Sequence, residues 1–201
     1  MKTHSSRRPS GFTLVELLVV IAIIVVLAAA GFGAAMTAMK KAKAVKTKTV
    51  ATSIEQAINQ FYNEYNKLPD PSGTLSADSD PPLDTSTGEG VKLLTILLGK
   101  ETGTGADVQN TKRMVFLNVP EGKGNKDGLI YEGDEIKGLY DPFGSGYQVV
   151  LDGDYNEEIK PPENTSASGS TSASNVLRGR HCIVYSLGSD KKGKAEAIKT
   201  F

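Results

Sequence analysis

From Phe12 to Met39 the chain runs 28 residues with only Thr13, Glu16 and Thr37 clearly polar. About 20 apolar residues are enough to cross a bilayer as a helix. This stretch therefore requires a membrane, or a bundle of like helices, around it. Glu16 is the single charge in the run. At the centre of a spanning helix a charge costs roughly 2.5–3.5 kcal/mol, and less near an end. A chain that needed only an anchor is not expected to carry it, so Glu16 predicts a partner charge. The nearest candidate is a free amino group made by cutting the chain before Phe12.

Two simpler readings compete. A secretory signal peptide has a basic start, an apolar middle and a cut at small residues. Lys2, Arg7 and Arg8, then the run, then Ala28-Ala29-Ala30 supply those parts. Glu16 falls in the apolar middle, where charge is disfavoured, and the helical pattern continues past the alanines. A plain signal anchor meets the same objection from Glu16. Counting basic residues on either side sets Lys2, Arg7 and Arg8 against Lys40, Lys41, Lys43, Lys46 and Lys48. By number alone the lysine end stays inside. A solvated helix face, packing in a filament and attraction to lipid headgroups are the readings of those lysines. Gly31 and Gly33 each weaken a helix by about 1 kcal/mol relative to alanine. They fit either a softened helix or close packing through small residues.

Beyond the lysines, Val50, Ile54, Ala57, Ile58, Phe61 and Tyr65 recur at three- and four-residue spacings, one apolar stripe on a continuing helix. Pro69 and Pro71 place its end near Asn66-Lys67-Leu68. Phe12 to Tyr65 as one helix is roughly 80 Å long, more than a core of this size can bury. The remainder, residues 67–201, reads as a small α+β domain. Pro69 to Gly90 is a loop, Val91–Leu98 a short helix, and Arg113–Val119 a strand or extended edge segment. Gly122–Gly128 is turn-rich. Tyr147–Leu151 and His181–Leu187 are strands, separated by a low-complexity loop over Lys160–Asn175. The pieces with two nearby glycines at Gly88, Gly103 and Gly122 read as turns.

Gly11, Phe12, Thr13, Leu14, Glu16 and Leu17 together resemble the processing signal of type IV pilins and type II secretion pseudopilins. The resemblance implies a leader, residues 1–11, removed by a prepilin peptidase that cuts after Gly11 and methylates Phe12. It implies a helix over 12–66, of which 12–39 forms the membrane span and the filament core, packed on a small antiparallel sheet. Tyr65-Asn66-Lys67-Leu68-Pro69, the turn Asp141-Pro142-Phe143-Gly144 with Tyr147, and Tyr185-Ser186-Leu187-Gly188-Ser189-Asp190 resemble the major pseudopilin in order. Phe143 stands where that family usually has Trp. Many type IV pilins close a C-terminal loop with a disulfide. Cys182 is the only cysteine here, which favours the pseudopilin branch.

Composition excludes some classes. The chain has 23 basic and 23 acidic residues, and loss of Lys2, Arg7 and Arg8 leaves 20 against 23, a side-chain charge of −3. Nothing in that balance suggests nucleic-acid binding. Family members often bind calcium near the last strand, but the loop Ser189–Glu196 offers only Asp190 and Glu196 as acidic ligands, among three lysines. A second acidic cluster, Asp152, Asp154, Asn156, Glu158 and Glu163, mimics EF-hand spacing. Glu157 occupies the position that needs glycine, and Pro161-Pro162 breaks the exit helix. It reads as a solvated loop. His181 and Cys182, adjacent in a strand, point to opposite faces, and Cys182 reads as a small core residue. Gly99-Lys100-Glu101 lacks the Ser/Thr and upstream glycine of a phosphate loop. No residue set supports an enzyme, and no cofactor is expected apart from calcium as a weak candidate.

The expectation is a structural subunit of a type II secretion pseudopilus, single-pass in the bacterial inner membrane with its C-terminal domain periplasmic, assembled into a periplasmic filament that drives protein export. Its partners would be identical and minor pseudopilin subunits, the prepilin peptidase, the inner-membrane assembly platform and membrane lipid. A type IV pilus subunit and a monomeric membrane-anchored periplasmic binding protein are the alternatives.

Overall fold

The computed structural model describes residues 11–73, 75, 81–103, 105, 108–161, 176–188 and 197–201, without the side chains of residues 30 and 31. The architecture is α+β, with a pilin-like layout. The chain divides into two compact units, one ending at Ala42 and the other covering Lys43–Phe201. Helix α1, Leu14–Tyr65, runs through both. Neither Gly31 nor Gly33 interrupts it. Thr37 donates its hydroxyl to the Gly33 carbonyl at 3.1 Å, a back-bond of the kind that loosens a helix slightly.

In the first unit every large apolar side chain from Phe12 to Met39 is exposed, from 45% at Val20 to 79% at Phe12 and Leu14. Burying a side chain of this kind is worth about 1.5–3 kcal/mol. Sixteen of them leave on the order of tens of kcal/mol for an apolar surrounding to recover. α1 is the one helix among the described residues long and apolar enough to cross a membrane.

In the second unit the stripe turns inward. Val50, Ala51, Ile54, Ala57, Ile58 and Phe61 are buried. The helix ends at Tyr65 because Asn66 takes a left-handed conformation, φ 53°, and donates its N–H to the Tyr62 carbonyl at 2.7 Å. Strands β1 (Leu83–Asp84), β4 (Tyr147–Leu151), β7 (Cys182–Ser186) and β8 (Ile198–Lys199) form an antiparallel sheet in the order β1-β4-β7-β8. β2 (Gly128–Glu132) and β3 (Glu135–Tyr140) form a hairpin, and β5 (Glu158–Ile159) pairs with β6 (Leu177–Arg178).

Side chains alternate between the faces of a strand, and β4 and β7 bury both. Tyr147, Val149, Leu151, Cys182 and Val184 join the α1 stripe in the main core. Val150, Ile183 and Tyr185 turn the other way and pack with Ile159, Ala197 and Phe201. The two strands are thus apolar on both faces, apart from Gln148 and the buried Ser186, because each has protein on both sides.

Helix α2, Gly88–Leu97, begins a turn earlier than its apolar residues suggest. Gly88-Glu89-Gly90 is its first turn rather than a separate one. A Cβ on Gly90 would lie 1.9 Å from the Asp84 carbonyl oxygen, so the missing side chain lets α2 settle on β1. Arg113–Val119 forms no strand. The N–H groups of Phe116 and Leu117 both donate to the Leu97 carbonyl, at 2.9 and 3.2 Å. The segment caps the end of α2, so its backbone bonds go to a helix and not to a sheet.

Asp141 makes the turn before β4. Its Oδ1 accepts from the N–H groups of Phe143 and Ser145, both at 2.8 Å, and its Oδ2 accepts from the Ser186 hydroxyl. One buried carboxylate thereby ties the turn to the end of β7.

β7 begins at Cys182, so the alternation rule does not reach His181. The His181 ring stacks on Tyr62 of α1 with centroids 4.2 Å apart, and Cys182 Sγ lies 3.9 Å from the Glu55 carbonyl oxygen of the same helix. Both therefore meet α1 instead of opposite faces. Burial first, then the Glu55 carboxylate, push the Cys182 thiol well above the usual thiol range. Cys182 should resist Ellman's reagent at pH 8 in the folded protein and react fully in guanidinium. Stoichiometric reaction without denaturant would contradict its core placement.

Candidate processing and assembly site

The chain enters α1 through Gly11, Phe12 and Thr13, which lie outside any regular element. The Thr13 hydroxyl accepts a hydrogen bond from the Glu16 backbone N–H at 3.3 Å. Glu16 reaches back, its Oε2 accepting from the Thr13 N–H at 2.9 Å and from the Thr13 hydroxyl at 2.7 Å. This reciprocal pair is a capping box. It satisfies two backbone N–H groups that a helix start otherwise leaves without partners. It also sets a carboxylate in the first turn, where the helix dipole favours negative charge. Glu16 Oε1 makes no hydrogen bond among the described residues.

Reading Glu16 only as half of an intermolecular charge pair misses this local role. The signal for it is the Thr-x-x-Glu spacing of Thr13 and Glu16 ahead of an apolar run. Phe12 is 79% exposed. A Cβ added at Gly11 would meet nothing within 4 Å, and its backbone is not left-handed. The described part of the chain does not require glycine there. A requirement for it would come from whatever binds the Gly11–Phe12 bond.

The acidic loop after β4 is organised around its own backbone. Asp152 is buried. It accepts from the N–H groups of Asn156 at 3.1 Å and Glu157 at 3.0 Å. Asp154 accepts from the Asn156 N–H at 3.2 Å and from its side-chain amide at 2.5 Å. The Asn156 side-chain oxygen accepts from the Glu158 N–H at 2.6 Å, and the Glu158 carboxylate pairs with Arg178 at 2.8 Å. Burial, then the hydrogen bond to Asp154, push the Asp152 carboxyl up. These oxygens hold the turn between β4 and β5 through its own N–H groups. Among the described residues no three His, Cys, Asp or Glu side chains are grouped as a metal would need. Asp190, Glu196 and Glu163 lie outside the described residues.

Lys100 and Glu101 have local partners. The Lys100 ammonium lies 4.2 Å from the Tyr131 ring centroid. Glu101 accepts from the N–H groups of Gln109 and Asn110, at 3.1 and 2.7 Å.

Residues 6–32 match a family model described as the prokaryotic N-terminal methylation motif. No curated protein and no solved structure matches the chain. The motif and the capping box overlap at Thr13 and Glu16, and the apolar helix follows at once. The chain therefore carries a type IV pilin-like N-terminal signal ahead of a helix apolar and long enough to span a membrane.

Proposed function

We propose that this chain is a filament subunit, most like the major pseudopilin of a type II secretion system. In this reading a prepilin peptidase removes residues 1–11 and methylates Phe12. The subunit waits in the inner membrane with its second unit in the periplasm. It then joins identical and minor subunits through the 12–39 helix at a membrane assembly platform. The observation that carries the reading is the methylation motif continuing into a helix whose large apolar side chains are all exposed from Phe12 to Met39.

The chemistry at the helix start fits assembly. The capping box uses Glu16 Oε2 and leaves Oε1 free to accept from the Phe12 amine of a neighbouring subunit. Pairing neutralises two charges in an apolar core, where an unpaired one is costly. Apolar burial supplies most of the affinity, and the charge pair sets the axial register. Cys182 is the only cysteine and is buried, which favours the pseudopilin over a disulfide-closed pilus subunit.

Co-expression of the chain with a prepilin peptidase tests the reading. Wild-type protein should be shortened and should yield periplasmic filaments. Gly11→Val should remain full length in the membrane and yield none, since the described part of the fold tolerates a side chain at that position. Filaments from uncleaved Gly11→Val protein would overturn it.

A further inference from the structure

In the second unit four lysines gather where α1 enters the fold. Lys46 pairs with Asp127 at 2.7 Å, and the Lys43 ammonium lies 5.8 Å from the Phe143 ring centroid. The loop that carries Lys123 and Lys126 is tied to the turn that carries Phe143, the Asp127 N–H donating to the Asp141 carbonyl at 2.9 Å. The Lys126 stem lies along Gly144, where an added Cβ would meet its Cε at 3.3 Å. Lys43, Lys123 and Lys126 are exposed and pair with no carboxylate among the described residues. Asp127 and the exposed Glu121 are the carboxylates of this surface, and two against four lysines leave it two charges positive. Asp141 lies buried beneath it, its oxygens taken by Phe143, Ser145 and Ser186.

The β2–β3 hairpin begins and ends beside this surface, at Gly128 and Tyr140, and carries the opposite charge at its tip. Glu132 and Glu135 stand directly opposite each other across the strands, with Asp134 in the turn between them. Like charges placed this way are destabilising. Lys137 pairs with Glu132 at 3.0 Å. Asp134 and Glu135 are exposed and pair with no cation among the described residues. Lys100, which follows α2, donates to the Tyr131 hydroxyl at 3.1 Å and lies over that ring, and the exposed Arg113 forms no ion pair with the tip. At about 3.4 Å per residue, the tip end of β2 stands roughly 14 Å from its base. Asn110 links the ends of α1 and α2 through Tyr65 and Ile96. The tip therefore lies toward the end of α1, whereas the lysine surface surrounds Lys46, about 28 Å before Tyr65 along the helix.

The other exposed acids fit the lysines less well. Glu89 lies in the first turn of α2, where the helix dipole already favours it. Asp154 accepts from Asn156, and Glu157 stands beside a Glu158 that Arg178 holds. A hairpin cannot fold its tip back onto its own base, so the two surfaces can meet only between copies.

We infer that the lysine surface of one copy receives the hairpin tip, residues 132–135, of the next. The two patches differ and sit at opposite ends of one hairpin. Their contact is therefore head-to-tail, the kind that builds an open filament instead of a closed dimer. Exposed ion pairs are individually weak, so this contact sets direction and register while apolar burial supplies the affinity. The inference rests on the filament reading above and adds which surfaces of the second unit touch.

Cysteine cross-linking tests it in the full chain, co-expressed with a prepilin peptidase and oxidised with copper phenanthroline. K126C/D134C filaments should give a ladder of disulfide-linked trimers and longer species. K126C and D134C alone should give no ladder, and the buried Cys182 takes no part. Charge reversal supplies a second readout. K123E/K126E and D134K/E135K should each lower filament yield on the order of tenfold, and combining all four changes should recover at least about half of the wild-type yield. Filaments of K126C/D134C without the ladder would overturn the contact and leave the filament reading standing. So would cross-linking that stops at dimers, or rescue of K123E/K126E by D154K/E157K in place of D134K/E135K. A wild-type chain that forms no filaments would overturn the filament reading and this contact together.

Discussion

Replacing Glu16 by alanine should abolish filaments while the subunit still inserts in the membrane. Two losses combine in that variant. The capping box disappears, which costs about 1 kcal/mol of helix-start stability. In the proposed filament the partner amine would be left without a counter-charge in an apolar core, and breaking a buried pair this way costs about 3–5 kcal/mol. Subunit affinity should therefore fall on the order of 100-fold or more. Membrane insertion should be unchanged or easier, since an intramembrane charge is gone.

Glu16→Gln separates the two roles. Glutamine serves in a capping box as glutamate does, so the helix start survives and only the charge is lost. This variant should fail to assemble nearly as completely as the alanine one. Thr13→Ala keeps the charge and weakens the cap, so it should assemble at reduced yield. Filament yield by electron microscopy, with carbonate extraction as the insertion control, measures all three. Wild-type yield from Glu16→Gln would mean that Glu16 acts through the cap alone.

Asn110→Ala should damage the second unit severely. Asn110 is 1% exposed. Its side-chain oxygen accepts from the Tyr65 hydroxyl at 2.8 Å and from the Met114 N–H at 3.0 Å. Its amide donates to the carbonyls of Ile96 at 2.8 Å and Met114 at 2.7 Å. One side chain thus joins the end of α1, the end of α2 and the segment that caps α2. Alanine strands several groups, each at about 1–3 kcal/mol when it is buried without a partner. A loss of about 4 kcal/mol is expected, a large share of the 5–15 kcal/mol that holds a typical domain together. Urea unfolding followed by circular dichroism reads it. Tyr65→Phe removes the bond to Asn110 and the one its hydroxyl accepts from the Lys112 N–H at 3.1 Å, leaves the Asn110 amide in place, and should cost only about 1–2 kcal/mol. A loss below 1 kcal/mol for Asn110→Ala would show that the junction is held by packing alone.

Asn110 also marks where sequence reasoning stops. Long, periodic elements were legible. The Val50–Phe61 stripe is buried as its spacing predicts, β4 coincides with Tyr147–Leu151, and α1 ends beside Asn66. β1, β5, β6 and β8 are two residues each, too short for any period. Arg113–Val119 looks like a strand because its apolar residues are right for one, but the N–H groups of Phe116 and Leu117 go to the Leu97 carbonyl and that of Met114 to the Asn110 side chain. A single polar hub such as Asn110 has no pattern around it. At the candidate site the charge of Glu16 stood out against its apolar neighbours, whereas its bond to Thr13 had to be sought at a spacing of three. His181 was misplaced because the strand begins one residue after it, at Cys182.

In the proposed function, processing at Gly11 frees the helix beyond it for use. Intact-mass and N-terminal peptide mass spectrometry of membrane-purified protein tests this most directly. The expected product begins at N-methylated Phe12. A chain that begins near Gly31, or one that retains Met1, would contradict it.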